Sequence, residues 1–416
     1  MTNKHPKKIF WFIPLFILLV FLIGGLFAEF YFRFEETCTP DKEKNKVAVV
    51  IAKGGIYDAE IMNSQVLEYY KSVKKDLNIE NAGLKKFEGK TIEELDAFVD
   101  NLYLNDDVGY IIFVGDDLPV IREETTEFIF WNKDTGVTTY QISDPTGREE
   151  IVEYPQGSKQ PDVGKYAWLA FDYTKRLECT KENCIQPSCN DVAVSVILPP
   201  LLYSNDEKLN FVLNILATYT NYHENFSTII KKYQKSQLYI YDPIFPIEEI
   251  EGDIDSLKGY GLPIIQVLNT EPEKVTAELK EKHLILSFHV HGSPTAVGMG
   301  LHYVGPQPTI GQPYYTSLEE YSRFAKENGV PALFFTDPTA CYSGGLRDPQ
   351  SKEKYCCWIQ IFMESGVWAT YGLGGRSDQV FRMKRDFSNE KTIGLALRKR
   401  MIQQDFIYGD ILAHME

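Results

Sequence analysis

Two apolar runs in this 416-residue chain lead into residue types able to do covalent chemistry. Leu284-Ile285-Leu286-Ser287-Phe288-His289-Val290 leads into His291-Gly292-Ser293. Ala332-Leu333-Phe334-Phe335-Thr336-Asp337-Pro338-Thr339 leads into Ala340-Cys341, with Gly344-Gly345 beyond. An apolar run that stops at small and polar residues is the sequence form of a buried parallel strand. In open α/β sheets, functional side chains gather at the carboxyl ends of such strands. Two such strands joined by a crossover put His291 and Cys341 on one edge of the sheet.

A thiol and an imidazole at one edge suit nucleophilic catalysis. The thiolate is the nucleophile, and a nearby imidazole lowers the thiol pKa and later protonates the leaving group. Gly292 has no side chain, so its N–H can approach a substrate carbonyl closely. With the N–H of Cys341 it would form an oxyanion hole. His289 and Asp337 are supporting candidates. On a strand His289 shares a face with His291; Asp337 either orients the dyad or serves as a turn residue before Pro338.

Two metal readings compete with the dyad. His289-x-His291 is a zinc-ligand pattern that His302 or Cys341 would complete. Ser293-Pro294 stand where hydrolytic zinc motifs carry a carboxylate, so no metal is assigned. The acidic stretches Asn105-Asp106-Asp107 and Asp116-Asp117 are calcium candidates without a full ligand set, and solvated turns are the simpler reading. The expected chemistry therefore requires no cofactor.

The composition, 44% hydrophobic with 25 Tyr and 25 Phe, supports one large or two medium cores. A net charge of −15 without a basic face argues against a nucleic-acid partner. Ile9 to Tyr31 is almost wholly apolar and long enough to span a bilayer. Lys4, Lys7 and Lys8 precede it and Glu35, Glu36 and Asp41 follow, which predicts a cytoplasmic N-terminus and an exported remainder. A signal peptide cleaved near Ala28, giving a secreted protein, is the rival; the length of the run favours an uncleaved anchor. Export permits disulfides among Cys38, Cys179, Cys184 and Cys189. The spacing of the last three does not match the usual zinc pairs. Cys356-Cys357 read as buried free thiols.

Stepping outward from the site, the expected elements form two α/β units. Residues 1–34 are the tip and anchor, 35–46 a linker, 47–245 the first unit and 246–416 the second. Strands are expected at Val47–Ala52, Gly109–Val114 and Asp191–Pro199, then at Leu238–Tyr241, Pro263–Leu268, Leu284–Val290, Ala332–Thr336 and Val367–Tyr371. Helices are expected at Ala59–Leu77, Ile92–Leu102 and Asp206–His223, the last capped by Ser204 or Asn205. In the second unit they fall at Glu273–Lys282, Leu318–Asn328, Lys352–Ser365 and Thr392–Gln404. Residues 120–190 read as polar excursions. Alternating strands and helices predict mostly parallel sheets flanked by helices.

The order strand–His-Gly, helix, strand–Ala-Cys resembles the caspase-like fold of clan CD cysteine peptidases, and within it the gingipain family. Val114-Gly115-Asp116, the strand from Asp191 to Pro199 with its helix, His291-Gly292-Ser293, Ala340-Cys341 with Gly344, and Tyr408-Gly409-Asp410 carry the likeness. Val290 stands where the family usually has Gly, and Ile411 where it has Pro. The resemblance implies an endopeptidase with Cys341 as nucleophile and His291 as acid–base, acting on proteins or peptides. Fold analogy alone does not carry activity, so a caspase-like surface binding domain without catalysis and a zinc hydrolase using His289 and His291 are the alternatives.

Overall fold

The apolar runs become the inner strands of one broad sheet. A computed structural model describes residues 44–118 apart from 91, the strands between 121 and 168, 192–291 apart from 201, 296–301, 315–338, 358–373, 392–398 and 405–415. Along the chain come β1 (Lys46–Ala52), α1 (Glu60–Leu77), β2 (Glu80–Phe87), α2 (Ile92–Asp106) and β3 (Val108–Val114). Five short strands follow, β4 (Ile121–Glu123), β5 (Thr125–Asn132), β6 (Val137–Ser143), β7 (Glu149–Pro155) and β8 (Tyr166–Trp168). Then come β9 (Ala193–Ile197), α3 (Asn205–Ile229), β10 (Gln234–Tyr241), α4 (Ile247–Leu257), β11 (Ile264–Leu268), α5 (Pro272–Glu281) and β12 (His283–His289). The remainder is β13 (Ala296–Val297), β14 (Thr316–Ser317), α6 (Leu318–Asn328), β15 (Ala332–Pro338), α7 (Trp358–Ser365), β16 (Ala369–Leu373), α8 (Ile393–Arg398) and β17 (Asp405–Gly409).

Ten strands pair in the order β11-β10-β12-β15-β16-β17-β9-β3-β1-β2. All neighbours are parallel except β16 and β17. The mostly parallel α/β architecture expected from the sequence is present. The last strand joins its two halves, because β17 runs antiparallel to β16 and parallel to β9. Its place is reinforced where Ser195 Oγ–H donates to Gly409 O at 2.9 Å.

Burial explains these elements. Val47 to Ile51 of β1 are all 0% exposed, as a parallel strand covered on both faces requires. In α1, Met62, Val66, Tyr69, Tyr70, Val73 and Leu77 form the buried stripe at helical spacing. Ser204 caps α3 in a reciprocal capping box with Glu207, and Ser317 caps α6 in the same way with Glu320. Such caps stabilise a helix by about 1 kcal/mol. Gly115 ends β3 at φ +109, and a Cβ there would lie 2.4 Å from the Tyr57 ring, so only glycine fits.

Some elements differ from the sequence-based expectation. β2, with the polar run Glu-Asn-Ala-Gly-Leu-Lys-Lys-Phe, is an edge strand of the main sheet. Residues expected as excursions include β5–β6–β7, an antiparallel three-stranded sheet, and the pair β4–β8. The acidic stretch after β10 forms α4. α2 runs to Asp106 and α3 to Ile229, beyond their expected ends. Among the described residues no helix is long and apolar enough to cross a membrane; the run Ile9–Tyr31 lies outside them.

Beside Trp368, at the amino end of β16, lies a buried polar cluster. His223 Nδ1 is 2.7 Å from Asp76 Oδ2, and its Nε2 is 2.9 Å from Asp410 Oδ2. Burial opposes the charged imidazole, but the Asp410 and Asp76 carboxylates outweigh it and lift the His223 pKa to about 9.

Candidate active site

The carboxyl edge of β10, β12 and β15 is set by register. Tyr241 pairs with His289, and Phe288 with Pro338. The crossover helix α6 buries Leu318, Tyr321, Phe324 and Ala325 in one cluster with Leu286, Phe288 and Val290. Strand β12 ends at His289, and His291 follows in the loop. Neighbouring β15 reaches Pro338, three positions before Cys341 in sequence. Asp337 is a backbone member of β15. Gly292, His302 and Cys341 lie outside the described residues, as do the other six cysteines.

His291 is exposed, whereas His289 is 3% exposed. The two do not share an environment because the strand, and with it the two-residue period, ends between them. The Phe245 ring touches both imidazoles, with centroids 4.3 Å from His289 and 4.8 Å from His291. The loop backbone is pinned from the other side. Gly298 N–H donates to His291 O at 2.8 Å. Buried Asn269, which follows β11, donates from Nδ2 to Gly298 O at 2.9 Å. Gly300, at φ +82, lies against Asn269 so closely that a Cβ would stand 2.4 Å from its carbonyl oxygen.

His289 has a carboxylate of its own. Its Nδ1–H donates to Asp253 Oδ2 at 2.6 Å, and the same oxygen accepts from Tyr239 Oη–H at 2.9 Å. Glu249 Oε2 stands 3.7 Å from His289 Nε2. Asp253 is 4% exposed and Asp242 2% exposed, so both carboxyls are buried. Neither Asp253 nor Phe245 was read from the sequence as a partner of the histidines. Glu249 and Asp253, four residues apart, lie on one helix face, and Asp253 falls on the buried stripe with Ile250 and Leu257. An acid on an apolar stripe was the signal available.

This arrangement divides the two histidines by chemistry. His289 is buried with one nitrogen committed to Asp253, which suits holding the strand end and the Phe245 ring. His291 is exposed at the sheet edge, where a substrate proton can be reached. The acidic stretches considered for calcium are paired with lysines. Lys44 Nζ lies 2.8 Å from Asp107, Lys85 Nζ lies 2.6 Å from Asp106, and Lys208 contacts Asp116. Tyr57 Oη–H also donates to Asp116, at 3.0 Å.

No protein-family profile matches the chain, and no curated protein does. Solved structures are similar to it. One, described as the structure of a protease, has a TM-score of 0.50 at 12% identity and covers 90% of this chain and 79% of its own. The Arg-specific cysteine proteinase gingipain R has a TM-score of 0.47 at 15% identity, covering 90% and 78%. A complex of Porphyromonas gingivalis RgpB pro- and mature domains has a TM-score of 0.49 at 16% identity, covering 88% and 79%. At such identities the likeness is one of fold: this is a mixed α/β chain with the fold of a protease of known structure.

Proposed function

We propose that the chain is a cysteine endopeptidase anchored by Ile9–Tyr31, with its catalytic unit on the extracytoplasmic side. The carrying observation is the parallel pairing of β12 with β15, Phe288 against Pro338. β12 and β15 end at one edge, two residues before His291 and three before Cys341 in sequence, and sites form at such edges in open α/β sheets. The Cys341 thiolate attacks the scissile carbonyl carbon, and the amides of Gly292 and Cys341 hold the oxyanion. His291 gives its proton to the leaving amine as the C–N bond breaks, leaving a thioester. Water, deprotonated by His291, then hydrolyses that thioester and releases the thiol.

The substrates in this reading are proteins or peptides, and neither metal nor cofactor takes part. The different environments of the two histidines, His289 buried and His291 exposed, weigh against a catalytic zinc shared by both. Labelling the full-length chain with a peptidyl electrophile, followed by mapping of the adduct, tests the assignment. An adduct on Cys341 is expected. An adduct confined to another cysteine, or none, overturns it.

A further inference from the structure

The amino end of β16 carries a second constellation, built from segments far apart in sequence. Asp76 lies in the last turn of α1, His223 in the C-terminal half of α3, and His414 and Asp410 after β17. Asp76 Oδ2 is 2.7 Å from His223 Nδ1 and 2.8 Å from His414 Nε2. The donor atoms of Asp76, His223 and His414 all lie within 4.8 Å of one another, the only such group among the described residues. The His223 and His414 rings are stacked, with centroids 6.0 Å apart. Their side chains are 0% and 3% exposed, and that of Asp76 is 15% exposed.

We propose that Asp76, His223 and His414 bind one divalent ion of the zinc class, with Asp410 orienting His223 from behind. Two imidazole nitrogens and a carboxylate oxygen are donors that zinc accepts. Bonds of about 2.0–2.2 Å in tetrahedral geometry need donors roughly 3.4 Å apart. The two hydrogen-bonded distances need only lengthen modestly to admit an ion. Asp410 supplies what a ligating histidine needs at its other nitrogen, a carboxylate acceptor that fixes tautomer and ring orientation. That carboxylate is itself held: Tyr69 Oη–H and Leu412 N–H donate to Oδ1 at 2.7 and 3.0 Å, and Trp368 Nε1–H donates to Oδ2 at 2.8 Å.

Charge favours the ion. Asp76 and Asp410 bring two carboxylates to a largely buried place, and a dication there balances them. Asp76 also sits at the negative end of the α1 macrodipole, where an acid is unfavourable without a cation. The partial exposure of Asp76 provides an entry path and room for water as fourth ligand. The cluster lies beside Trp368 at the amino end of β16, the opposite edge from the carboxyl end of parallel β12, where His291 follows. A metal there would tie α1 and α3 to the C-terminal segment and take no part in chemistry at the other edge.

The test uses the full chain, stripped with chelator and titrated with Zn²⁺. One zinc per chain is expected by elemental analysis, with a rise in Tm of a few degrees at saturation. Substituted Co²⁺ should give the visible spectrum of a tetrahedral nitrogen–oxygen site without a thiolate charge-transfer band. His414→Gln and Asp76→Asn should each weaken binding by about 10-fold or more, and His289→Gln should leave it unchanged. Absence of stoichiometric zinc, a thiolate-dependent cobalt spectrum, or undiminished binding in both Asp76→Asn and His414→Gln overturns the site. The wild-type cobalt spectrum decides the question if those variants do not fold.

Discussion

His289 Nδ1 lies 2.6 Å from Asp253 Oδ2, two residues before the exposed His291. The pair fixes the strand end while His291 stays exposed beyond it. His289→Ala should therefore act mainly on stability, and Asp253→Ala, which strands a buried imidazole N–H, should cost about 1–3 kcal/mol. His291→Ala should lower kcat/KM by about 10²–10⁴-fold, as expected for loss of a general acid–base group. Urea melts beside peptide-cleavage kinetics separate the two effects. Kinetics in which His289 is indispensable and His291 replaceable would reverse their roles.

The inner strands were legible because both their faces are buried, leaving uninterrupted runs such as Val47–Ile51 and Leu284–Phe288. β2 was not, since an edge strand with half-exposed Lys85 and exposed Lys86 needs no apolar run. β17 was missed for another reason. It is a five-residue strand whose partners β9 and β16 are set by tertiary pairing. The site was half legible. A histidine at a strand end can be read from the chain, but Asp253 reaches His289 from a helix 36 residues away. Only the misplaced polarity of its stripe marks it.

Asp117 gives a pH dependence with a definite sign. Burial, then the nearby Asp116 charge, raise its pKa from the usual 3.8 to about 6, although its own backbone N–H and Lys208 pull the other way. A carboxyl that titrates higher when folded favours folding below about pH 3.8 and loses that contribution as pH rises through 6. Asp117→Asn should flatten the stability profile across that interval. Unfolding free energy measured by urea against pH checks it; an unchanged slope would show that Asp117 is not the group responsible.

The closing strand should be indispensable. β17 lies between β16 and β9 and continues into Asp410, which accepts from Tyr69, Trp368 and Leu412. Deleting residues 405–416 would expose two strand edges within the main sheet and leave the Trp368 indole N–H buried and unpaired. The truncated chain should lose cooperative unfolding by calorimetry. A sharp transition with wild-type Tm would mean that the two halves hold together without it.

The membrane reading predicts sidedness. Lys4, Lys7 and Lys8 before Ile9–Tyr31 keep the N-terminus inside. Protease added to intact cells or spheroplasts should then digest the domain from outside. Digestion only after lysis would place the domain in the cytoplasm. N-terminal sequencing separates anchor from signal peptide, because cleavage near Ala28 leaves no span.

Cys341→Ala should abolish peptide cleavage with little change in Tm, since the substitution falls outside the paired residues of β12 and β15. Alkylation of the wild-type thiol should do the same, whereas under the proposed thiolate–imidazole mechanism chelators should spare cleavage. Cys356→Ala and Cys357→Ala should leave turnover near wild type and act only through packing. A Cys341→Ala protein that cleaves at the wild-type rate would remove the dyad, and with it the endopeptidase reading, leaving a protease fold put to binding.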